Sequence, residues 1–154
     1  MPSNIVQIPA GPRWRVLIAH ERDLVRHALR TLIEAEDIAV IEAADGEAAL
    51  AELDRCRFDL LILQLDLPEQ DAANVVLMHR LLLRNQQGAA EPPDVALTLP
   101  PEIRHNRAVI ERLRSLGVTE FIDDEPRSEV AGLVEMILRA RAMRRQAPGK
   151  PAAA

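Results

Sequence analysis

Polar side chains that could perform chemistry follow several apolar segments of the sequence. They are His20 and Glu21 after RVLIA, Gln64 and Asp66 in FDLLILQLDLPEQD, Thr98 in DVALTL, and Asp124 and Glu125 close after VTEFI. Carboxylate oxygens are the ligands that Mg²⁺ prefers, and a carboxylate can also attack a phosphoryl group to form a covalent intermediate. An imidazole suits zinc or copper better. The pattern indicates a polar site if the fold brings these segments together.

The apolar segments have the composition of buried strands, and helical periodicity separates them. Residues 60–65 are nearly all apolar, which favours a strand buried on both faces of a parallel sheet. Further strands are predicted over residues 15–19, 38–43, 94–99 and 118–122. The predicted helices start from caps or turns at Asp23, Asp45, Asp71, Pro101 and Ser128.

Alternation of these strands and helices predicts an α/β fold. With right-handed crossovers, the expected architecture is a doubly wound five-stranded parallel sheet of order 2-1-3-4-5 with five helices. In such a sheet the chemistry lies in a crevice at the carboxyl ends of the strands, beside the switch point between the first and third strands. We therefore expect His20, Glu21 and Gln64 to meet there.

Two segments resemble the receiver domain of two-component response regulators, the CheY-like variant of the flavodoxin-like fold. IEAADGEAALAEL is similar to the second strand and helix of that family, and FDLLILQLDLPEQD is similar to its third strand. The family has a proline four residues after its phosphoacceptor aspartate and often an acidic residue three positions later. Pro68 and Asp71 match these two positions, and Gln64 occupies the position of the phosphoacceptor.

The rest of the resemblance implies a degenerate phosphorylation crevice. His20 and Glu21 stand where the family has an acidic pair that helps to bind a divalent cation, and Thr98 matches a hydroxyl position. The family's lysine lies directly before a proline. Here Glu125 precedes Pro126, and Asp124 is the other candidate if one residue is inserted. Either choice replaces a cation by an anion.

Each departure has a physical consequence. The neutral amide of Gln64 cannot form the acyl phosphate that a carboxylate forms. Only Glu21 remains of three expected Mg²⁺ ligands, and one charge pair at about 4 Å contributes roughly 4 kcal/mol at a surface-like dielectric. We therefore expect weak or absent Mg²⁺ binding, no catalytic activity, and a stand-alone signalling domain that acts without phosphorylation, as a pseudo-receiver. The alternative is a phosphoryl-accepting regulator that uses Asp66, roughly 6 to 7 Å further along the chain.

Function through protein contacts is the interpretation that remains. The resemblance implies a partner in a signalling pathway, either a histidine kinase or a downstream regulator. It also implies a contact surface formed by the fourth helix, fifth strand and fifth helix, through which a homodimer is possible. Phe121 matches an aromatic position that reports the switch on that surface. Thr98 and Phe121 are therefore candidates for a coupled pair, with ordinary core packing as the alternative.

Composition sets further bounds. The 154 residues suit one domain, predicted over residues 14–145, between a disordered leader at 1–13 and a disordered tail at 146–154. A single cysteine, Cys56, excludes an internal disulfide framework and fits a reducing cytoplasm. Neither a membrane span nor a signal peptide is expected. All 24 acidic residues precede residue 139, so the acidic body argues against general nucleic-acid binding.

Several other features have a functional and a plainer interpretation. The basic residues Arg139, Arg141, Arg144 and Arg145 could bind nucleic acid or anionic lipid, but cations are favoured at a helix C-terminus by its dipole, which favours a solvated helix end. Burial is favoured for the very apolar helix at 71–84 over a partner site. Cys56 is expected to be a small residue at a helix end rather than a catalytic thiol. A solvated strand end is favoured over a metal chelate at His20 and Glu21, and a small ligand in the crevice ranks last because no glycine-rich phosphate loop is present.

Overall fold

The structure is a computed structural model that describes residues 11–85 and 91–146. The leader residues 1–10, the loop residues 86–90 and the tail residues 147–154 lie outside this range, so the predictions for them stay untested. The strands are β1 (Trp14–Ala19), β2 (Ile38–Ala43), β3 (Leu60–Gln64), β4 (Asp94–Leu99) and β5 (Glu120–Asp123). The helices are α1 (Asp23–Ile33), α2 (Gly46–Arg55), α3 (Ala72–Arg84), α4 (Pro101–Arg104), α5 (Arg107–Ser115) and α6 (Glu129–Gln146). Within the described ranges, no helix combines the length and hydropathy that a membrane span requires.

The sheet is parallel throughout and has the predicted order β2-β1-β3-β4-β5. Its two faces are covered by separate apolar clusters. One cluster includes Leu61, Leu63 and Leu97 with residues of α2, α3 and α5, and the other includes Leu60 and Ile62 with residues of α1 and α6. The complete burial of β3 residues 60–63 follows from this double cover. The predicted fold class is therefore confirmed.

The prediction of five helices is wrong by one, because the segment after β4 forms two helices. α4 ends at Arg104, and the side chain of Asn106 then caps α5 by accepting a hydrogen bond from the Val109 N–H at 3.2 Å. A capping asparagine competes with helix continuation, since its side chain satisfies a backbone donor that would otherwise need the preceding turn. The apolar periodicity across residues 103–116 is compatible with either arrangement.

Helix ends account for the remaining differences. Asp45 and Asp71 cap α2 and α3 through their carboxylates, which accept from the Ala48 and Asn74 N–H groups at 2.7 and 2.9 Å. Asp23, in contrast, is the first residue of α1 and not its cap. After α5, Gly117 has φ +104°, a left-handed conformation that glycine adopts without strain. The Val118 N–H then bonds to the Leu113 carbonyl, so β5 begins at Glu120 and not at residue 118.

The expectation of burial for the apolar helix α3 is only half correct. Val75 and Val76 are buried against the sheet, but four other large apolar side chains of α3 are between 41% and 47% exposed. These are Leu77, Met78, Leu81 and Leu82. The helix has apolar residues around most of its circumference, and the sheet covers only one side of it.

The expectation of a solvated basic end on the last helix is wrong for Arg141, which is 1% exposed. Its guanidinium lies 3.2 Å from Asp59 and 3.4 Å from Asp94, and it donates to the Pro92 and Glu91 carbonyl oxygens at 2.9 and 3.2 Å. Arg144 and Arg145 also contact these two aspartates. The last turns of α6 are therefore bound to the amino ends of β3 and β4, opposite the crevice.

Candidate functional site

The carboxyl ends of β1, β3 and β4 bring three of the predicted site residues to one face of the sheet. Gln64 is paired with Thr98, and the pairing of Ala19 with Leu63 places His20 beside Gln64. Because side chains alternate between the two faces of a sheet, all three point to the α1 and α6 side. His20 and Thr98 are buried, at 2% and 1% exposure, and Gln64 is partly exposed. The predicted meeting of β1 and β3 residues in the crevice is observed.

The side chain of Gln64 is held in place by the β1–α1 loop. Its amide oxygen accepts a hydrogen bond from the Glu21 N–H at 2.9 Å. On the other side, the loop after β3 is held by α2, because the Gly46 N–H donates to the Pro68 carbonyl at 3.0 Å. A Cβ atom at Gly46 would lie 1.9 Å from the Gln70 carbonyl oxygen, so this approach requires glycine. The neutral amide thus sits in a fixed position at the strand end.

His20 is an uncharged imidazole inside this crevice. Its Nδ1 accepts a hydrogen bond from the Arg22 N–H at 3.0 Å, which places the proton on Nε2. Burial lowers the pKa of His20 below its ordinary value, and this effect outweighs the opposing fields of Asp124 and Glu21. The expectation of a solvated strand end is therefore wrong for His20, although Glu21 is exposed.

Three buried polar atoms at the crevice have no hydrogen-bond partner in the described part of the chain. They are His20 Nε2, Thr98 Oγ1 and Asp124 Oδ1. Asp124 is also the carboxylate with the largest electrostatic effect on His20. Glu125 is exposed and lines a groove on another side of β5. Of the two candidates for the lysine position, Asp124 is therefore the residue whose charge acts in the crevice.

Acidification should destabilise the protein through its two buried histidines. Burial lowers the pKa of both His20 and His79, so the unfolded chain binds protons more readily than the folded one. The contribution of each histidine to the free energy of unfolding is therefore fully present above about pH 6.5. It is lost as the pH falls toward the pKa of the folded state, by at most about 1.4 kcal/mol per pH unit for each histidine. We expect His20→Gln to flatten part of this slope in urea denaturation between pH 5 and pH 7.

The exposed His27 provides the matched control, because His27→Gln should leave the slope of the wild-type protein unchanged. The slope due to His79 should persist in the His20→Gln variant. An unchanged slope in that variant would show that His20 is not buried as a neutral group.

The donor set of the crevice does not fit Mg²⁺. This ion requires a tight octahedron of oxygen ligands, with carboxylates favoured. Here the Gln64 oxygen is occupied by a backbone N–H, and the neighbouring side chain is an imidazole. Among the described residues, no group of three His, Cys, Asp or Glu side chains is placed to hold an ion. The side chains of His20 and Glu21 also start from opposite faces of the strand, which makes them a poor chelate.

Asp66 lies outside this arrangement. It follows β3 by two residues, in an exposed turn. Its neighbour Leu65 donates its backbone N–H to the Thr98 carbonyl at 3.0 Å, so the chain passes the end of β4 before Asp66 is reached. The hydroxyl of Thr98 is buried inside the crevice and does not face this turn.

The proposed coupling of Thr98 with Phe121 requires a correction. Thr98 is paired with Ile122, whereas Phe121 is paired with Leu97 and packs in the cluster on the α2, α3 and α5 side. Successive residues of a strand point to opposite faces, so the side chains of Thr98 and Phe121 are separated by the sheet. They do not form a direct pair.

Phe121 instead belongs to the surface around β5. Its ring lies under the Arg114 guanidinium, 5.7 Å from the ring centroid, and its carbonyl accepts from Arg104 at 3.3 Å. Arg104 also forms an ion pair with Asp123. A groove of about 390 Å³ between β5 and α6 adjoins this surface and is lined by both charged residues and Leu133. Arg104 and Arg114 could not be identified from the sequence, because only the fold brings them close to their partners.

Comparison with known proteins establishes the family to which the chain belongs. A family model described as the response regulator receiver domain matches residues 16–123. The chain therefore belongs to the response regulator receiver domain family, as the resemblance of its second and third strands implied.

Individual relatives are distant. The gliding motility regulatory protein of Myxococcus xanthus is 31% identical over 71 residues, which are 46% of this chain and 9% of that protein. The REC domain of AraT from Geobacillus stearothermophilus superposes with a TM-score of 0.70 at 20% identity, over 87% of this chain and 99% of that one. Chemotaxis protein CheY4 of Vibrio cholerae gives a TM-score of 0.62 at 20% identity, over 84% and 98% of the two chains. These structures share the fold, and the present chain spans less than a tenth of the curated relative.

Proposed function

We propose that this receiver domain signals through protein contacts and does not accept a phosphoryl group. The proposal rests on Gln64, which the family resemblance aligns with the acceptor aspartate, and whose amide oxygen accepts a hydrogen bond from the Glu21 N–H at the end of β3. An amide lacks the carboxylate nucleophile that an acyl phosphate requires. The Asp124 carboxylate nearby supports the proposal, because a negative charge repels a phosphodonor.

The partner would be a protein of a signalling pathway, either a histidine kinase or a downstream regulator. The predicted fourth helix corresponds to α4 and α5, so the candidate docking site is the surface formed by α4, α5, β5 and α6, and homodimerisation there stays a prediction. In favour of a partner on this surface, Phe121 is partly exposed beside a groove that presents both charged and apolar side chains. The expected compartment is the cytoplasm, and we propose no catalytic activity for the domain itself.

Binding of nucleic acid through the basic end of α6 is not favoured. Arg141, Arg144 and Arg145 all contact carboxylates of the same chain, and Arg139 pairs with Glu135 at 2.7 Å. A phosphate backbone would have to compete with these contacts. The arrangement supports a structural role for the basic residues.

Incubation with acetyl phosphate and Mg²⁺ tests the proposal. We expect the intact mass to stay unchanged, while a phosphorylatable receiver domain treated in parallel gains one phosphoryl group. The variant Asp66→Asn separates the alternative, because a gain in the wild-type chain that disappears in this variant would assign Asp66 as the acceptor. Such a result would overturn phosphorylation-independent signalling and leave the fold assignment intact.

A further inference from the structure

The outer face of α3 carries more exposed large apolar side chains than any other helix or strand in the described part of the molecule. Seven large hydrophobic side chains are exposed, and four of them lie on this one helix. Leu24, Met136 and Met143 are the other three, and they lie on α1 and α6. Isolated exposed apolar side chains are normal in soluble proteins, but a contiguous patch marks a binding surface.

The exposed patch forms one uncharged stripe along the helix. We define the α3 stripe as Asn74, Leu77, Met78, Leu81, Leu82 and Asn85, all of them exposed. Of the two arginines of α3, Arg80 extends over Gly117, where a Cβ atom would lie 1.5 Å from its Nη2 atom. Arg84 is exposed at the edge of the stripe, one turn after Leu81. The opposite side of α3 carries the buried Val75, Val76 and His79. The stripe is therefore separate from the core-facing side of the helix.

The order of side chains in the α3 stripe is the same from either end. An asparagine stands at each end, and two pairs of apolar residues lie between them at equal spacing. In an interface about a two-fold axis the same patch of both chains is used, so that residue i contacts residue j of the copy and j contacts i. In an antiparallel pairing, Met78 would face Leu81 of the second copy, Leu77 would face Leu82, and the asparagine ends would meet.

We propose that the α3 stripe binds the α3 stripe of a second copy of this chain, antiparallel about a two-fold axis. The absence of charged residues from the stripe supports a second copy as the partner, because two identical stripes would not repel each other electrostatically. Exposed arginines instead lie at the start of α1, where Arg22 is the N-cap, and at the start of α5, where Arg107 is the first residue.

The available area predicts a weak and reversible dimer. A stripe of four apolar side chains offers a few hundred Å², less than the roughly 800 Å² per partner of stable interfaces. The formal charge of −5 on each copy opposes association at low ionic strength. The dimer should therefore strengthen with added salt and dissociate on dilution. It does not depend on the phosphorylation state of the crevice or on the surface formed by α4, α5, β5 and α6.

Sedimentation velocity of the full chain, from about 5 μM to about 1 mM, tests this association. We expect a monomer–dimer equilibrium whose Kd rises about a hundredfold or more in Leu81→Glu, since two-fold symmetry places the substitution in the interface twice. The control is Leu24→Glu, because Leu24 is an exposed apolar residue on α1, outside the stripe, and this substitution should leave the Kd unchanged. Circular dichroism verifies that both variants fold.

A charge swap tests the antiparallel alignment. Met78→Glu and Leu81→Lys should each weaken self-association, and mixing the two variants should restore a dimer with one copy of each, because positions 78 and 81 face each other. A chain that stays monomeric at all concentrations, or a dimer that is insensitive to Leu81→Glu, would overturn the proposal. Absence of the mixed dimer would overturn the antiparallel alignment, and a dimer lost only in Phe121→Ala would place the second copy at β5.

Discussion

Replacement of Arg141 by methionine is expected to lower the free energy of unfolding by about 3 kcal/mol. Removing one partner of a buried ion pair costs about 3 to 5 kcal/mol, because the other charge stays buried without compensation. Asp59 and Asp94, whose side chains are only 13% and 18% exposed, would each lose one cationic partner. The lower end of the range is expected, because Arg145 and Arg144 each retain a contact with one of these carboxylates.

The measurement is urea denaturation, supported by a thermal transition that should fall by roughly 6 to 12 °C for a chain of this size. Arg139→Met is the matched control, because Arg139 is 72% exposed and pairs only with Glu135 across one helical turn. Its effect should stay within about 0.5 kcal/mol. Addition of Asp59→Asn to Arg141→Met should recover part of the loss, since it removes one of the two carboxylates that lost a cationic partner. Wild-type stability in Arg141→Met would show that the network adds nothing.

The burial of Arg141 could not be predicted from the sequence. Its carboxylate partners lie 82 and 47 residues earlier in the chain, and no local spacing connects them. The same limit applied to α3, whose apolar residues could be assigned to a helix but not divided between the covered and exposed sides. Strand β4, in contrast, was predicted with the same ends as in the structure, because Pro92 and Pro93 precede an apolar run that Pro100 ends.

The candidate site was predictable to the extent that it depends on strand ends. The carboxyl ends of parallel strands meet at one edge of the sheet, so His20, Gln64 and Thr98 could be brought together from their positions alone. Orientation was not predictable in the same way. A shift of one residue in strand register moves a side chain to the opposite face of the sheet. For this reason the sequence could not show that Phe121 and Thr98 lie on opposite faces, or that Asp124 and not Glu125 acts in the crevice.

Restoring charges in the crevice should convert this domain into one that accepts a phosphoryl group. The triple variant His20→Asp, Gln64→Asp, Asp124→Lys places carboxylates after β1 and at the end of β3, and a cation after β5. We expect it to gain one phosphoryl group from acetyl phosphate in the presence of Mg²⁺. Gln64→Asp alone should gain little, because Asp124 still repels the donor and His20 still replaces a carboxylate ligand.

The three changes should act together because each supplies a different requirement. The carboxylate at position 64 supplies the nucleophile, the carboxylate at position 20 joins Glu21 in attracting the cation, and the lysine at position 124 attracts the phosphoryl oxygens. A matched control keeps the changes at His20 and Asp124 but carries Gln64→Asn, so that the charges at positions 20 and 124 are the same without a nucleophile. Because crowded carboxylates destabilise a fold, circular dichroism must show that the variants remain folded. If the folded triple variant stays unmodified, or if the asparagine control gains a phosphoryl group, these three residues are not what prevents phosphorylation in the crevice.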